Sequence, residues 1–101
     1  MKSFVLHWEA EAELEEAIVY YNQRRRGLGG DLRRDFAATV KRIRINPRGF
    51  RKDEDGLRHA LLRTFPYAVI FFELDDRLWI TAVAHHSRRP GYWLHRHPDD
   101  L

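Results

Sequence analysis

The sequence predicts an α+β fold, in which an N-terminal strand and a helical hairpin pack on a small antiparallel β-sheet. Two observations lead to this prediction. Over residues 9–45 the apolar residues recur every three or four positions, which is the period of an amphipathic helix. From residue 57 onwards they form short, dense runs rich in β-branched and aromatic side chains, which is typical of strands. A chain of 101 residues has room for one domain, covering residues 1–101.

The first part of the chain predicts one strand followed by one helix. Residues 3–8 are mostly apolar, with aromatic and β-branched members, and we expect the first strand there. A helix is expected over residues 9–25, with glutamates in its first turns and arginines at its end, so that both ends complement the helix dipole. Its inward face combines five apolar or aromatic residues at spacings of three and four: Ala10, Leu14, Ala17, Ile18 and Tyr21.

A glycine-rich turn and a proline delimit the second helix. Gly27, Gly29 and Gly30 are expected to supply the positive φ angles that a turn between two helices requires. The second helix is predicted for residues 31–45 and ends before Pro47, which lacks an amide hydrogen and disfavours helical geometry in the residue before it. The residues on its inward face are Leu32, Phe36, Val40 and Ile43.

The second half of the chain predicts a loop, three strands and a tail. Residues 47–56 are polar, and Phe50 is the one apolar anchor expected in this loop. Strands are expected at residues 57–65, 67–74 and 78–84, because the turn signals Pro66 and Asp75-Asp76 separate them. They should form an antiparallel meander, with the N-terminal strand along one edge. The unbroken apolar run 69–72 predicts that the middle strand is the buried centre, and residues 85–101 should be irregular.

The amino-acid composition excludes several classes of protein function. The absence of cysteine excludes disulfides and thiolate metal sites. Four histidines near the C-terminus (His85, His86, His95 and His97) lack a carboxylate at matching spacing, and we expect neither a metal nor a cofactor. The longest apolar run, residues 67–72, is too short to span a bilayer, and the N-terminus lacks the apolar segment of a signal peptide. We therefore expect a cytoplasmic protein with no membrane partner.

The charge is distributed unevenly along the chain. Residues 1–23 contain one lysine against five glutamates, whereas residues 24–101 contain 17 lysines and arginines against 10 aspartates and glutamates. A basic body of this kind suits a polyanionic or acidic partner, such as RNA, a ribosome or an acidic peptide. Arginines that merely keep a small domain soluble would produce the same pattern, so charge alone leaves both interpretations open.

Four segments stand out along the chain, in this order: AEAELEEAIVYYNQRRRGLGGDL, NPRGF, LRHALLRTFPYAVIFFE and ITAVAHHSRRPGYW. Together they resemble toxins of the RelE/ParE superfamily, and more the ParE-like plasmid-stabilisation branch than the RelE branch. The similarity extends over nearly the whole chain. It implies a helical hairpin packed on a small antiparallel sheet, and a protein partner, the antitoxin, encoded beside the toxin and able to block it.

The resemblance implies two alternative activities. ParE-type toxins inhibit DNA gyrase, whereas RelE-type toxins cut mRNA on the ribosome. The residues themselves also permit a third interpretation, a nucleic-acid-binding module without toxicity. We expect a toxin of the first kind, which acts by binding a large target and performs no chemistry.

An RNA-cutting site needs a base, an acid and cations around the phosphorane. His86 lies where some RelE-like relatives carry a catalytic histidine, and the arginines that would stabilise charge beside it are Arg58, Arg63 and Arg88. The match is incomplete, because Pro66 or Tyr67 stands where those relatives have an arginine. Ser87 likewise replaces the tyrosine that follows their histidine.

A mixed basic and aromatic segment after the last strand is the predicted target-binding surface. Its candidate residues are Arg88, Arg89, Tyr92 and Arg96. Basic and aromatic side chains together suit either phosphate contact with base stacking or the centre of a protein interface. We expect Trp93 to differ from its neighbours by folding back onto the sheet.

Overall fold

The computed structural model describes residues 1–98, and it confirms the predicted α+β class. A three-residue 3₁₀ turn, Pro47–Gly49, follows the second helix. In chain order the elements are β1 (Ser3–Leu6), α1 (Trp8–Arg24), α2 (Leu28–Ile45), β2 (Arg51–Lys52), β3 (Arg58–Leu61), β4 (Tyr67–Glu73) and β5 (Arg77–His85). None of the helices in this part of the chain is long and apolar enough to cross a membrane.

The strands form one sheet in the order β1-β5-β4-β3-β2. Strands β2 to β5 pair antiparallel as predicted, but β1 runs parallel to β5, so the sheet is mixed and not purely antiparallel. The predicted loop at 47–56 also contains β2. This strand has two charged, exposed residues, so it leaves no hydrophobic pattern in the sequence. The buried centre is β4 as predicted, with Val69, Ile70 and Phe71 at most 1% exposed.

Helix α1 begins one residue earlier than its sequence pattern indicates, because His7 caps it. The Nδ1 atom of His7 accepts a hydrogen bond from the backbone N–H of Glu9 at 3.1 Å, and this ends β1 at Leu6. Trp8 is therefore the first helical residue and not part of the strand.

The turn between the helices uses one of the three glycines assigned to it. Gly27 has a positive φ of 88°, but Gly29 and Gly30 lie inside α2, so the prediction for these two is wrong. Gly29 is instead required by a close helix–helix approach. A Cβ atom there would lie 2.5 Å from the carbonyl oxygen of Ile18 on α1. The side chain of Asn22 reinforces this contact, because its Oδ1 accepts the Gly29 N–H at 2.8 Å.

The sheet has two covered faces. The helix face packs against the hairpin, and its buried residues include Leu14, Ile18, Leu32, Phe36, Val40, Ile43, Val69, Phe71, Leu78, Ile80 and Val83. Phe50 joins this core as its predicted anchor, with its ring 5.9 Å from that of Phe71. The tail face is smaller and buries Leu57, Ala68, Ile70, Ala82, Ala84 and Trp93. Residues 86–98 cover it without regular strands or helices, as predicted, and residues 99–101 of the predicted tail lie outside the described part.

Candidate functional site

Strand β5 is longer than the strand beside it, and this leaves part of its edge open. β1 pairs only with residues 77–80 of β5. Beyond that point, side chains take the place of a strand: the Val83 N–H donates to Oε1 of Glu13 at 3.0 Å, and Nη1 of Arg96 donates to the Thr81 carbonyl at 3.1 Å. Thr81 is the extra residue of a β-bulge, and its hydroxyl donates to the Arg96 carbonyl at 3.3 Å.

The Glu13 carboxylate connects α1 to the tail. It forms an ion pair with Arg96, in which Nη1 lies 2.9 Å from Oε1, and it accepts a hydrogen bond from the Tyr92 hydroxyl. Glu9, one turn earlier, adds a contact of 3.5 Å to Arg96. The Arg96 side chain is only 5% exposed and that of Glu13 is 15% exposed, so the pair is largely shielded from water. Burial and the neighbouring Glu13 carboxylate raise the pKa of Tyr92 above its ordinary value, which keeps the phenol protonated as a donor.

These contacts divide the predicted target-binding residues into two groups. Arg88 and Arg89 are exposed, and the Arg88 guanidinium lies over the ring of the half-buried Tyr92, 4.1 Å from its centre. We call these three residues the tail patch. Arg96 is not part of any exposed surface, because its guanidinium is buried against Glu13 and β5. Trp93 folds back onto the tail face as expected and is 5% exposed.

The residues proposed for RNA cleavage are not all brought together. His86 is exposed just beyond β5, and its backbone N–H donates to the Pro66 carbonyl at 2.9 Å. Arg63 is exposed in the loop between β3 and β4, near the same end of the sheet. Arg58 lies opposite Phe71 on β4. Phe71 is four residues from Tyr67, the β4 residue that faces the end of β5, and four residues span about 13 Å along a strand. The Nη1 atom of Arg58 donates to the Phe50 carbonyl at 2.8 Å, so its guanidinium is held by the segment just before β2.

Aromatic contacts and a carboxylate order this end of the sheet. The ring of His85 packs edge-on against Tyr67 at 5.0 Å, and its Nδ1 lies 2.7 Å from the Ser87 hydroxyl. Burial, with Tyr21 nearby, raises the pKa of Tyr67 to about 12. Asp35 of α2 accepts three consecutive backbone N–H groups of the β3–β4 loop, those of residues 63, 64 and 65. The loop that carries Arg63 is therefore tied to the helical hairpin.

Sequence reasoning missed two side-chain pairs that support the tail. In the sequence, Glu13 does not differ from the other glutamates of the first helix. Only its position beside the β5 edge in the folded protein distinguishes it from them. The second pair is Asp53 and His59, whose Oδ2 and Nε2 atoms lie 2.8 Å apart with both side chains 17% exposed. The His59 ring contacts Trp93 edge-on at 5.8 Å. Burial alone would raise the pKa of Asp53, but the hydrogen bonds from His59 and from the backbone N–H groups of Leu57 and Asp55 together outweigh burial and hold that pKa below its ordinary value of 3.8.

The helical hairpin over a five-stranded mixed sheet matches the fold of a ParE toxin of known structure. One matching solved chain belongs to a structure described as the chromosomal ParDE TA (toxin–antitoxin) system from P. aeruginosa. The two chains superpose with a TM-score of 0.74 at 18% sequence identity, and the match covers 84% of this chain and 96% of that one. No family model and no curated protein matches the sequence.

Proposed function

We propose that this protein is the toxin component of a type II toxin–antitoxin module, neutralised by an antitoxin encoded beside it, and that it inhibits DNA gyrase by binding. The observation that supports the proposal most is the fold likeness to the ParDE chain, which extends over 84% of this protein. A target of this kind implies that the protein acts in the cytoplasm. The basic charge of residues 24–101 suits an acidic target surface or an acidic antitoxin segment.

The placement of the charged residues favours binding over RNA cleavage. A ribonuclease needs its proton-transfer group and its cations around one phosphate. The backbone of Arg58 lies about 13 Å along the sheet from the end that carries His86, and its guanidinium is already bonded to the Phe50 carbonyl. A binding inhibitor needs only an exposed patch, and exposed arginines beside a half-buried tyrosine are typical anchors of protein interfaces. The tail patch is therefore our candidate target contact.

The test compares three variants expressed from one inducible promoter, with and without the neighbouring gene. They are His86→Ala, the double variant Arg88→Ala/Arg89→Ala, and the control Arg25→Ala/Arg26→Ala. The control removes the same charge from two adjacent exposed arginines near the hairpin turn. Growth, mRNA integrity and supercoiling by purified gyrase are measured for each, and circular dichroism checks the fold. Co-expression of the antitoxin should restore growth and raise the melting temperature of the toxin, because it binds the native state.

We expect Arg88→Ala/Arg89→Ala to weaken gyrase inhibition, since interface anchors typically lose about 1–3 kcal/mol each on truncation. His86→Ala and the Arg25/Arg26 control should remain toxic. A well-folded, harmless His86→Ala beside a fully toxic double variant, with cleaved mRNA, would instead identify a ribosome-dependent endoribonuclease. Harmless expression of the unaltered protein, with nucleic-acid binding and no antitoxin next to the gene, would favour the non-toxic module.

A further inference from the structure

We propose that Glu13 is the positioning residue of the tail patch: it holds Tyr92 and Arg96 against the β5 edge and thereby sets where Arg88 and Arg89 are presented. The inference rests on the proposed function, because it takes the tail patch as the target contact. Glu13 touches no target itself. It acts from α1 on a segment that lies more than 70 residues further along the chain.

All of the acceptor positions of the Glu13 carboxylate are occupied. Oε1 accepts from the Val83 N–H at 3.0 Å and from Nη1 of Arg96 at 2.9 Å. Oε2 accepts from Nη2 of Arg96 at 3.3 Å and from the Tyr92 hydroxyl. An ionised carboxylate offers about four lone-pair positions, and all are used here by donors from one strand and the tail. This one side chain therefore joins α1, β5 and the tail.

Within the tail patch, Tyr92 connects Glu13 to Arg88. The Tyr92 ring has the Arg88 guanidinium 4.1 Å from its centre and the Arg96 guanidinium at 5.1 Å, both within the range of a cation–π contact. Fixing the Tyr92 hydroxyl on Glu13 thus fixes the surface on which Arg88 rests. Arg89 follows directly in the chain, so its backbone is placed by the same contact.

Besides Glu13, the contacts that orient the tail are those of Arg96 with Thr81 and Glu9 and of the exposed His95 with Glu9. The tail's own backbone hydrogen bonds span only three residues, as in the bonds from Arg88 to His85 and from Leu94 to Gly91. Burial of Trp93 attaches the segment to the sheet, but the hydrophobic effect is non-directional and does not fix the angle at which the chain leaves. Directional hydrogen bonds do. Arg96 forms two buried ones with Thr81 of β5, and the charge-assisted bonds of Arg96 and the bond of the Tyr92 hydroxyl meet at Glu13.

The test uses Glu13→Gln, which keeps the shape of the side chain but removes its charge, with Glu16→Gln as the matched control. Glu16 lies one turn further along α1 and is exposed. The order of the tail is measured by the initial rate of trypsin cleavage after Arg88 in the folded protein, a rate that should rise when the tail is released. Gyrase inhibition is measured in parallel, and circular dichroism checks that the helices are retained.

We expect Glu13→Gln to raise the rate of cleavage after Arg88 about tenfold or more and to weaken gyrase inhibition, because a charged hydrogen-bond acceptor is lost. Glu16→Gln should change neither. Tyr92→Phe, which removes only one donor, should shift both readouts in the same direction by less. It also serves as the test if Glu13→Gln does not fold.

A double-mutant cycle separates positioning from general destabilisation. Combined with Arg88→Ala/Arg89→Ala, Glu13→Gln should cause a clearly smaller loss of gyrase inhibition than it causes alone, since two of the three tail-patch residues that it positions are already absent. A loss of the same size in both backgrounds, or a cleavage rate that Glu13→Gln leaves unchanged, would overturn the inference. If the unaltered protein does not inhibit gyrase while Glu13→Gln still releases the tail, the proposed function fails and the anchoring by Glu13 stands.

Discussion

The two faces of the sheet are stabilised in different ways. The helix face is covered by two regular helices, and its core consists of large apolar side chains at regular spacings, such as Leu32, Phe36 and Ile43. The tail face buries six residues, three of them alanines, under an irregular segment. Two hydrogen-bonded side-chain pairs lie near its one buried aromatic side chain, Trp93: Glu13 with Arg96, and Asp53 with His59.

This difference indicates what each face contributes. Apolar burial of about 25 cal/mol per Å² stabilises the helix face, where many large side chains interdigitate, and this face sets the stability of the domain. The tail face buries too little apolar surface to hold a segment without regular structure, so directional hydrogen bonds supply the remaining order. We expect damage to the helix face to unfold the whole protein and damage to the tail face to release mainly the tail.

The largest effect is expected from Phe71→Ala on the helix face. Phe71 is fully buried on the central strand, and its removal should lower the free energy of unfolding by about 3–5 kcal/mol, the usual range for a buried phenylalanine. Chemical denaturation followed by circular dichroism measures this change. The exposed Phe4, a residue that is 38% accessible, provides a matched control, and Phe4→Ala should cost less than about 1 kcal/mol. Equal losses in the two variants would show that the buried centre is not at β4.

A smaller effect is expected from Trp93→Ala on the tail face. Although Trp93 is 5% exposed, the irregular chain above it can collapse into the space, so we expect a loss of about 1–3 kcal/mol. Amide hydrogen exchange should accelerate in residues 86–98 and remain slow in β4. Faster exchange in both regions to the same extent would contradict the division of the molecule into a core and a separately held tail.

The smallest effect is expected from Asp53→Asn, and it should depend on pH. The pKa of Asp53 is held below 3.8 in the folded protein, so the ionised group stabilises the fold at neutral pH and this contribution disappears as the pH falls below about 4. The variant should therefore be less stable than the unaltered protein by about 1 kcal/mol at pH 7, with the difference narrowing towards pH 3. Thermal melting at both pH values measures it. A difference that grows on acidification would refute the role of this pair.

Local patterns in the sequence determined most of the helix face. The period of Ala10, Leu14, Ala17 and Ile18 predicted α1 and its inward side, and the unbroken apolar run predicted the central place of β4. The burial of Trp93 was predicted as well. These features could be predicted from the sequence because helix and strand periodicity depends on residues close together in the chain.

Only the tertiary structure decided which charged residues of the tail are exposed and which are structural. Arg88 and Arg96 are alike in the sequence, yet Arg88 is exposed whereas Arg96 is buried against a glutamate 83 residues earlier. The parallel pairing of β1 and the separation of Arg58 from His86 are likewise long-range outcomes. No local sequence pattern identifies residues that become partners across the fold. The energy of an ion pair depends on distance and burial in the folded chain and not on spacing along the sequence.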